Sequence, residues 1–339
     1  MNVNELNAVA KAMVGNGKGI LAADESAPTI KKRFDTISLE STEENRRAYR
    51  EMLFTTPGLA DYIGGVILFD ETIRQSTSDG VPFAQYLNER GMIAGIKVDK
   101  GAKPLALYPG ELVTEGLDGL RDRFREYREL GAKFAKWRAV INIGDGIPTD
   151  FCLQANAHAL ARYAALSQEA NIVPIVEPEV LMDGAHSIQR CEEVTSRTLR
   201  LVFEALKAHR VELPGIVLKP NMVISGSEAP ERAGPEEVAE ATLRVLKAEV
   251  PAEVPGIAFL SGGQSPEEAT EHLAIMNRMG PLPWELSFSY GRALQAPSLE
   301  AWRGRPEQVK AGQDALFKRA KLNSLAHLGQ YETAMENAA

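Results

Sequence analysis

Lys219 follows Ile216, Val217 and Leu218 without a break in GIVLKPNM (215–222), and Lys136 sits inside the apolar run AKFAKWRAVI (132–141). A lysine is rarely buried unless it is paired or put to use. The bland reading makes Lys219 a salt-bridged strand residue. The chemical reading makes it an amine nucleophile that condenses with a carbonyl. That use requires the neutral amine, and burial or a neighbouring cation lowers a lysine pKa from its ordinary ~10.4. Lys136 supplies such a cation if its strand lies one or two places away. Two lysines of this kind favour the nucleophile.

Carboxylates and anion sites accompany them. VPIVEPEV (173–180) carries Glu177 and Glu179 two apart, hence on one face of a strand. Such a pair can split its pKa values into a proton donor and an acceptor, or can simply neutralise the lysines. A paired-carboxylate glycosidase is conceivable, but two amines would be superfluous there. FLSGGQS (259–265) ends an apolar run in small residues, Ser261 and Gly262 among them, just before Pro266. Exposed backbone N–H groups at such a turn suit a phosphate. SYGRALQA (289–296) repeats the arrangement with Ser289, Gly291 and Arg292, whose guanidinium can hold a phosphate through its fork. Ser26, Thr29 and Arg33 follow Asp24 and could hold a second anion, although on spacing alone Arg33 reads as an exposed helix residue.

The elements that would position these groups recur along the chain. Eight apolar runs end in polar residues: GILAADES (19–26), GGVILFDE (64–71), MIAGIKVD (92–99), AKFAKWRAVI, VPIVEPEV, GIVLKPNM, GIAFLSGG (256–263) and WELSFSYG (284–291). Helix-like stretches such as TEENRRAYREMLF lie between most of them. Strands alternating with helices indicate parallel βαβ units, and eight units fit a (β/α)8 TIM barrel of the α/β class. An open doubly wound sheet is the alternative, but no G-x-G-x-x-G turn follows the first run. With period two, Lys97, Lys136, Arg138 and Lys219 join Asp24, Asp99, Glu177 and Glu179 on the inward faces, and Asn221 follows Lys219. Such a cluster is costly as a core and makes sense as a site at the C-terminal mouth of a barrel. The expected organisation is one domain over 1–339, with an N-terminal helix at about 2–14 and a helical tail over about 292–339.

Bulk properties narrow the classes. Net charge is −8 and no segment concentrates Lys and Arg without acids, which disfavours nucleic-acid partners. Two cysteines, Cys152 and Cys191, form no C-x-x-C pattern, so a reducing compartment fits. The start shows no signal-peptide pattern and no apolar run approaches a membrane span; a cytoplasmic protein without membrane contact is expected. The five histidines, His158, His186, His209, His272 and His327, are widely spaced, so no metal site and no resident cofactor is expected.

GKGILAADES, TEENRR, GGVILFDET, GIKVDKG, FAKWR, VPIVEPE, LKPNMV, FLSGGQS and SYGRALQ, in this order from about Gly17 to Tyr331, resemble the class I fructose-1,6-bisphosphate aldolases. The resemblance implies a metal-free (β/α)8 barrel, usually a homotetramer. Its reaction is the reversible cleavage of fructose 1,6-bisphosphate to dihydroxyacetone phosphate and glyceraldehyde 3-phosphate through a lysine Schiff base. It implies Lys219 as the Schiff-base lysine, Lys136 as its neighbour, Glu177 as acid/base, Glu179 as a hydrogen-bonding partner, and Asp24 at the hydroxyl beside the cleaved bond. Arg138 would contact substrate; Ser26, Thr29, Arg33 and Lys97 would lie near the aldehyde-half phosphate, and Ser261, Gly262, Gly291 and Arg292 around the ketone-half phosphate, with Ser289 a further substrate-binding residue. Two departures stand out. Thr29 replaces a usual serine, and the family's terminal tyrosine, which assists proton exchange at the enamine, has no counterpart in QYETAMENAA, because Tyr331 comes too early. A short tail is in keeping with a bacterial member. The residues alone leave open another Schiff-base sugar-phosphate aldolase, a transaldolase-like enzyme, or a silent sugar-phosphate-binding scaffold.

Overall fold

The structure is a computed structural model that describes residues 1–337. Eight parallel strands close into a barrel: β1 Gly19–Ala23, β2 Ile63–Leu68, β3 Ile93–Lys97, β4 Phe134–Ile141, β5 Val173–Val180, β6 Val217–Leu218, β7 Gly256–Phe259 and β8 Glu285–Tyr290. Each strand pairs with its neighbours in sequence, and β1 closes the ring against β8. A small antiparallel hairpin, Ala102–Pro104 with Leu112–Thr114, follows β3. The expected (β/α)8 barrel is the observed fold. Among the described residues no helix is long and apolar enough to cross a membrane.

The barrel is filled from its floor upward. The helix Val3–Val14 buries Leu6, Ala10, Met13 and Val14 in a cluster with the inward residues Ile20, Ile67, Phe134, Val173, Ile175, Val217 and Ala258. Two glycines make room inside. A Cβ on Gly95 would lie 2.2 Å from the Phe134 ring, and one on Gly256 would lie 2.4 Å from Val14 Cγ2. Apolar packing thus occupies the lower barrel, and charged side chains have only the upper mouth left to them.

Helices ring the outside, and several carry their own start signals. Thr149 caps Asp150–Glu169, Ser187 caps Ile188–Ala208, and Ser265 with Glu268 forms a reciprocal capping box on Pro266–Arg278. The helix Arg292–Trp302 follows β8 directly and is tied to Val309–His327 by Ser298 Oγ donating to Gly312 O at 2.7 Å. Residues 338 and 339, at the end of the expected tail, lie outside the described residues.

β6 ends earlier than its apolar run predicts, at Leu218. Lys219 N still donates to Val176 O at 2.8 Å, but Pro220 has no N–H to continue the ladder. Period two therefore does not carry through to Asn221. Instead of lining the mouth beside Lys219, Asn221 accepts from Val180 N at 3.0 Å and donates to Thr195 Oγ1 at 3.1 Å, which stitches β5 to an outer helix.

Candidate active site

Every residue singled out above as catalytic or substrate-binding lines one cavity of about 990 Å³ at the C-terminal mouth. β1 brings Asp24, β3 Lys97, β4 Lys136 and Arg138, β5 Glu177 and Glu179, and the end of β6 brings Lys219. The loops after β7 and β8 bring Ser261 and Gly262, then Gly291 and Arg292, with Ser289 on β8 itself.

At the centre, Lys136 Nζ lies 2.8 Å from Asp24 Oδ2 and 3.1 Å from Glu177 Oε2, while Lys219 Nζ lies 3.1 Å from Glu177 Oε1. All four side chains are nearly or fully buried. Burial would lower the Lys136 pKa, but the carboxylates of Asp24, Glu177 and Asp99 outweigh it and hold the ammonium well above the usual lysine range. Burial would raise Asp24, yet Lys136, Lys219 and Lys97 hold it well below the usual carboxylate range. Burial likewise opposes ionisation of Glu177, and Lys136, Lys219 and Arg138 override it, leaving its pKa lowered. The two lysines are thus unequal. Lys136 is a fixed cation shared by two carboxylates, whereas Lys219 has Glu177 as its one ion-pair partner among the described residues.

Glu177 and Glu179 do not act on one another as a dyad. Glu179 is turned to the guanidinium of Arg138, so each carboxylate is committed to cations of its own. Asp99 supports the next strand. It accepts from Lys97 Nζ, from Gly101 N at 3.1 Å and from Arg138 N at 3.2 Å, which fixes Lys97 at the rim.

Two anion-friendly regions flank this centre. Ser26 precedes the helix Ala27–Asp35 but makes no capping bond; its hydroxyl lies 3.1 Å from that of Thr29, and both line the cavity. After the neighbouring strand, the helix Arg292–Trp302 begins at Gly291, which has no side chain to cap the free N–H groups of the first turn. Ser289 Oγ is buried there with no partner among the described residues. After β7, Gly263 adopts φ +73°, and Met182 packs so closely on Gly262 and Gly263 that a Cβ on either would clash with it. This loop therefore presents backbone to the cavity.

Arg33 reaches toward the loop after β8. Its Nη2 would lie 3.5 Å from a Cβ on Gly291, beside the loop after β8 and not with Ser26 and Thr29 alone. Its other terminal nitrogen, Nη1, pairs with Glu25, which also accepts from Arg50 and Gln295. These three partners were not legible as site residues. Alternation turns Glu25 away from the barrel interior, while Arg50 and Gln295 lie on helices whose pairing no local pattern reveals. Tyr331 is buried, donates to Glu336 Oε1 at 2.9 Å, and does not line the cavity. No three His, Cys, Asp or Glu side chains group as metal ligands would among the described residues.

Chemically, the mouth combines an amine, a charged carboxylate in contact with it, a second fixed cation, and loops after β1, β7 and β8 whose polar groups could receive an anion. A family profile described as fructose-bisphosphate aldolase class-I matches residues 5–339. A Xanthomonas campestris pv. campestris protein named "Probable fructose-bisphosphate aldolase class 1" is 60% identical over 98% of this chain and 100% of its own length. "Fructose-bisphosphate aldolase 4, cytosolic" of Arabidopsis thaliana is 54% identical over 93% of this chain and 81% of its own. The fold is also similar to that of a solved Plasmodium falciparum fructose-bisphosphate aldolase in complex with TRAP and a small-molecule inhibitor. That match has a TM-score of 0.96, 50% identity, and coverage of 97% of this chain and 96% of that one.

Proposed function

The chain belongs to the class I fructose-bisphosphate aldolase family, and from that premise we propose which of its residues carry the reaction. The activity is the reversible aldol cleavage of fructose 1,6-bisphosphate to dihydroxyacetone phosphate and glyceraldehyde 3-phosphate, and the family feature is a lysine Schiff base. One observation carries the assignment: Glu177 lies between Lys136 and Lys219, at 3.1 Å from each, while the third amine of the mouth, Lys97, is tied to Asp99 at the rim. Lys136, held protonated, is no nucleophile. Lys219 is the amine left to react, with a carboxylate in place to take its proton.

Lys219 attacks the ketone carbon, and Glu177 relays the protons by which the carbinolamine loses water to become an iminium. The iminium then acts as electron sink. The charged Asp24 carboxylate takes the proton of the hydroxyl next to the bond being cleaved. The carbon–carbon bond breaks, its electrons enter the iminium to give an enamine, and the aldehyde leaves. Protonation of the enamine carbon and addition of water release the ketone and regenerate Lys219. Lys136 stabilises negative charge as it develops on substrate oxygens, from a position set before the reaction begins. Ser261, Gly262, Ser289, Gly291 and Arg292 hold the ketone-half phosphate, and Ser26, Thr29 and Lys97 the other. Glu179 keeps Arg138 oriented toward the substrate.

Borohydride with dihydroxyacetone phosphate, followed by mass spectrometry of the digested chain, tests this reading. The expected adduct is on Lys219, with activity retained in the presence of chelator. An adduct elsewhere, no adduct, or loss of activity to chelator would sink it. We further propose a homotetramer, as the family resemblance suggests, checked by light scattering. A cytoplasmic location is supported by relatives named cytosolic and cytoplasmic.

A further inference from the structure

We propose that Glu25, anchored by Arg50, is a positioning residue that holds the Arg33 guanidinium against the ketone-half phosphate site. The inference rests on the sugar-phosphate reading above and concerns residues that do not themselves reach the reacting carbons.

Glu25 immediately follows Asp24 at the end of β1, so the strand alternation that sends Asp24 into the mouth sends Glu25 outward, under the helices Ala27–Asp35 and Glu43–Phe54. Its side chain is 5% exposed. A carboxylate buried to that degree must be paired. Oε2 accepts from Arg50 Nη2 at 2.6 Å, and Oε1 accepts from Arg33 Nη1 and from Gln295 Nε2 at 3.0 Å. Gln295 is fixed in turn: Nε2 also donates to Ala22 O, and Oε1 accepts from Tyr49 OH at 3.0 Å. Arg50 is as buried as Glu25, and Glu25 is its one ion-pair partner among the described residues. One carboxylate therefore sits between two guanidiniums, and one positive charge is left uncompensated.

That surplus is directed. Of the two guanidiniums, Arg50 is buried behind the cavity, whereas Arg33 lines it together with Glu25 and Gln295, with Nη2 beside Gly291. A planar guanidinium pinned at one nitrogen has its remaining donors fixed in direction, which suits it to a phosphate oxygen better than a free side chain would be. Arg292, the opened helix start at Gly291 and Arg33 then converge on one anion.

The test separates the two halves of the substrate. Wild type and Glu25→Gln are compared for the dihydroxyacetone phosphate concentration that half-saturates borohydride inactivation, and for the KM of glyceraldehyde 3-phosphate in the condensation direction. The expected result is a rise of about tenfold in the first, the loss of roughly one charge-assisted hydrogen bond, with the second and kcat near wild type. Because Glu25→Gln strands the Arg50 charge, Glu25→Gln/Arg50→Met is measured alongside; it removes both buried charges and should show the same selective rise. Equal losses for both triose phosphates, a loss confined to glyceraldehyde 3-phosphate, or no change in either variant would overturn the proposal. If dihydroxyacetone phosphate fails to trap the wild type at all, the underlying reading falls instead, so the two failures are distinct.

Discussion

Glu177 meets Lys219 at 3.1 Å through Oε1 while its other oxygen is held by Lys136, so the carboxylate can exchange a proton with the nucleophile without leaving its place. Glu177→Gln keeps the shape and removes the base. We expect kcat to fall by about 10²- to 10⁴-fold, the usual contribution of a positioned acid/base group. Borohydride trapping on Lys219 should slow in proportion, with the protein still folded by circular dichroism. Trapping at the wild-type rate would show that Glu177 takes no part in forming the Schiff base.

Lys136 and Asp24 pair at 2.8 Å, nearly out of water. Breaking such a pair leaves a buried charge, at a cost of about 3–5 kcal/mol. Lys136→Met should therefore lose activity and stability together, whereas Lys136→Met/Asp24→Asn should recover most of the stability and none of the activity. Denaturant unfolding on the two variants checks the pairing, since a double variant no more stable than Lys136→Met would mean that Asp24 is not the charge Lys136 neutralises. Lys219→Met should behave differently: activity is abolished with little stability lost, because Glu177 keeps Lys136 as a partner.

Much of this was legible in the sequence, for a physical reason. Barrel strands are short apolar runs whose polar ends fall at the mouth, so Lys136, Glu177 and Lys219 stand out as exceptions to a strong pattern. Alternation worked while the chain was a strand and failed where it stopped being one; Pro220 ended β6, and Asn221 turned to Val180 and Thr195. Glu25 was hidden by the same rule, because its outward direction reads as packing. The reach of Arg33 toward Gly291 was hidden too, because where a long side chain ends depends on a tertiary contact, here with Glu25, which no spacing encodes.

Gly263 holds φ +73°, and a Cβ there would come 2.2 Å from Met182 Cγ. Gly263→Ala should distort the loop that presents Ser261 and Gly262, through left-handed strain of about 1–2 kcal/mol and the clash together. The expected outcome is a rise of at least tenfold in the KM for fructose 1,6-bisphosphate. Shortening the obstacle with Met182→Ala should relieve part of it. No change in KM would mean that the backbone of this loop does not contact the phosphate.

His272 links that loop to pH. It is buried, with Nδ1 2.7 Å from Gln264 Oε1, so the ring donates from Nδ1 to the loop after β7. Burial, with Arg232 adding to it against Glu268, lowers its pKa from 6.5 to about 4. The unfolded chain thus binds a proton that the folded protein refuses between those values. The stabilisation is fully present above pH 6.5, is lost as pH falls toward 4, and amounts to about 3 kcal/mol. Asp24 and Glu177, whose folded pKa values are also lowered, add their own losses only further down, as pH drops through the ordinary carboxylate range. His272→Gln should therefore flatten the dependence of unfolding free energy on pH between 6.5 and 4.5 by up to one proton, while leaving the steeper fall below pH 4 in place. Denaturant unfolding at a series of pH values measures both slopes, and an unchanged upper slope would mean that His272 does not stay neutral in the folded protein.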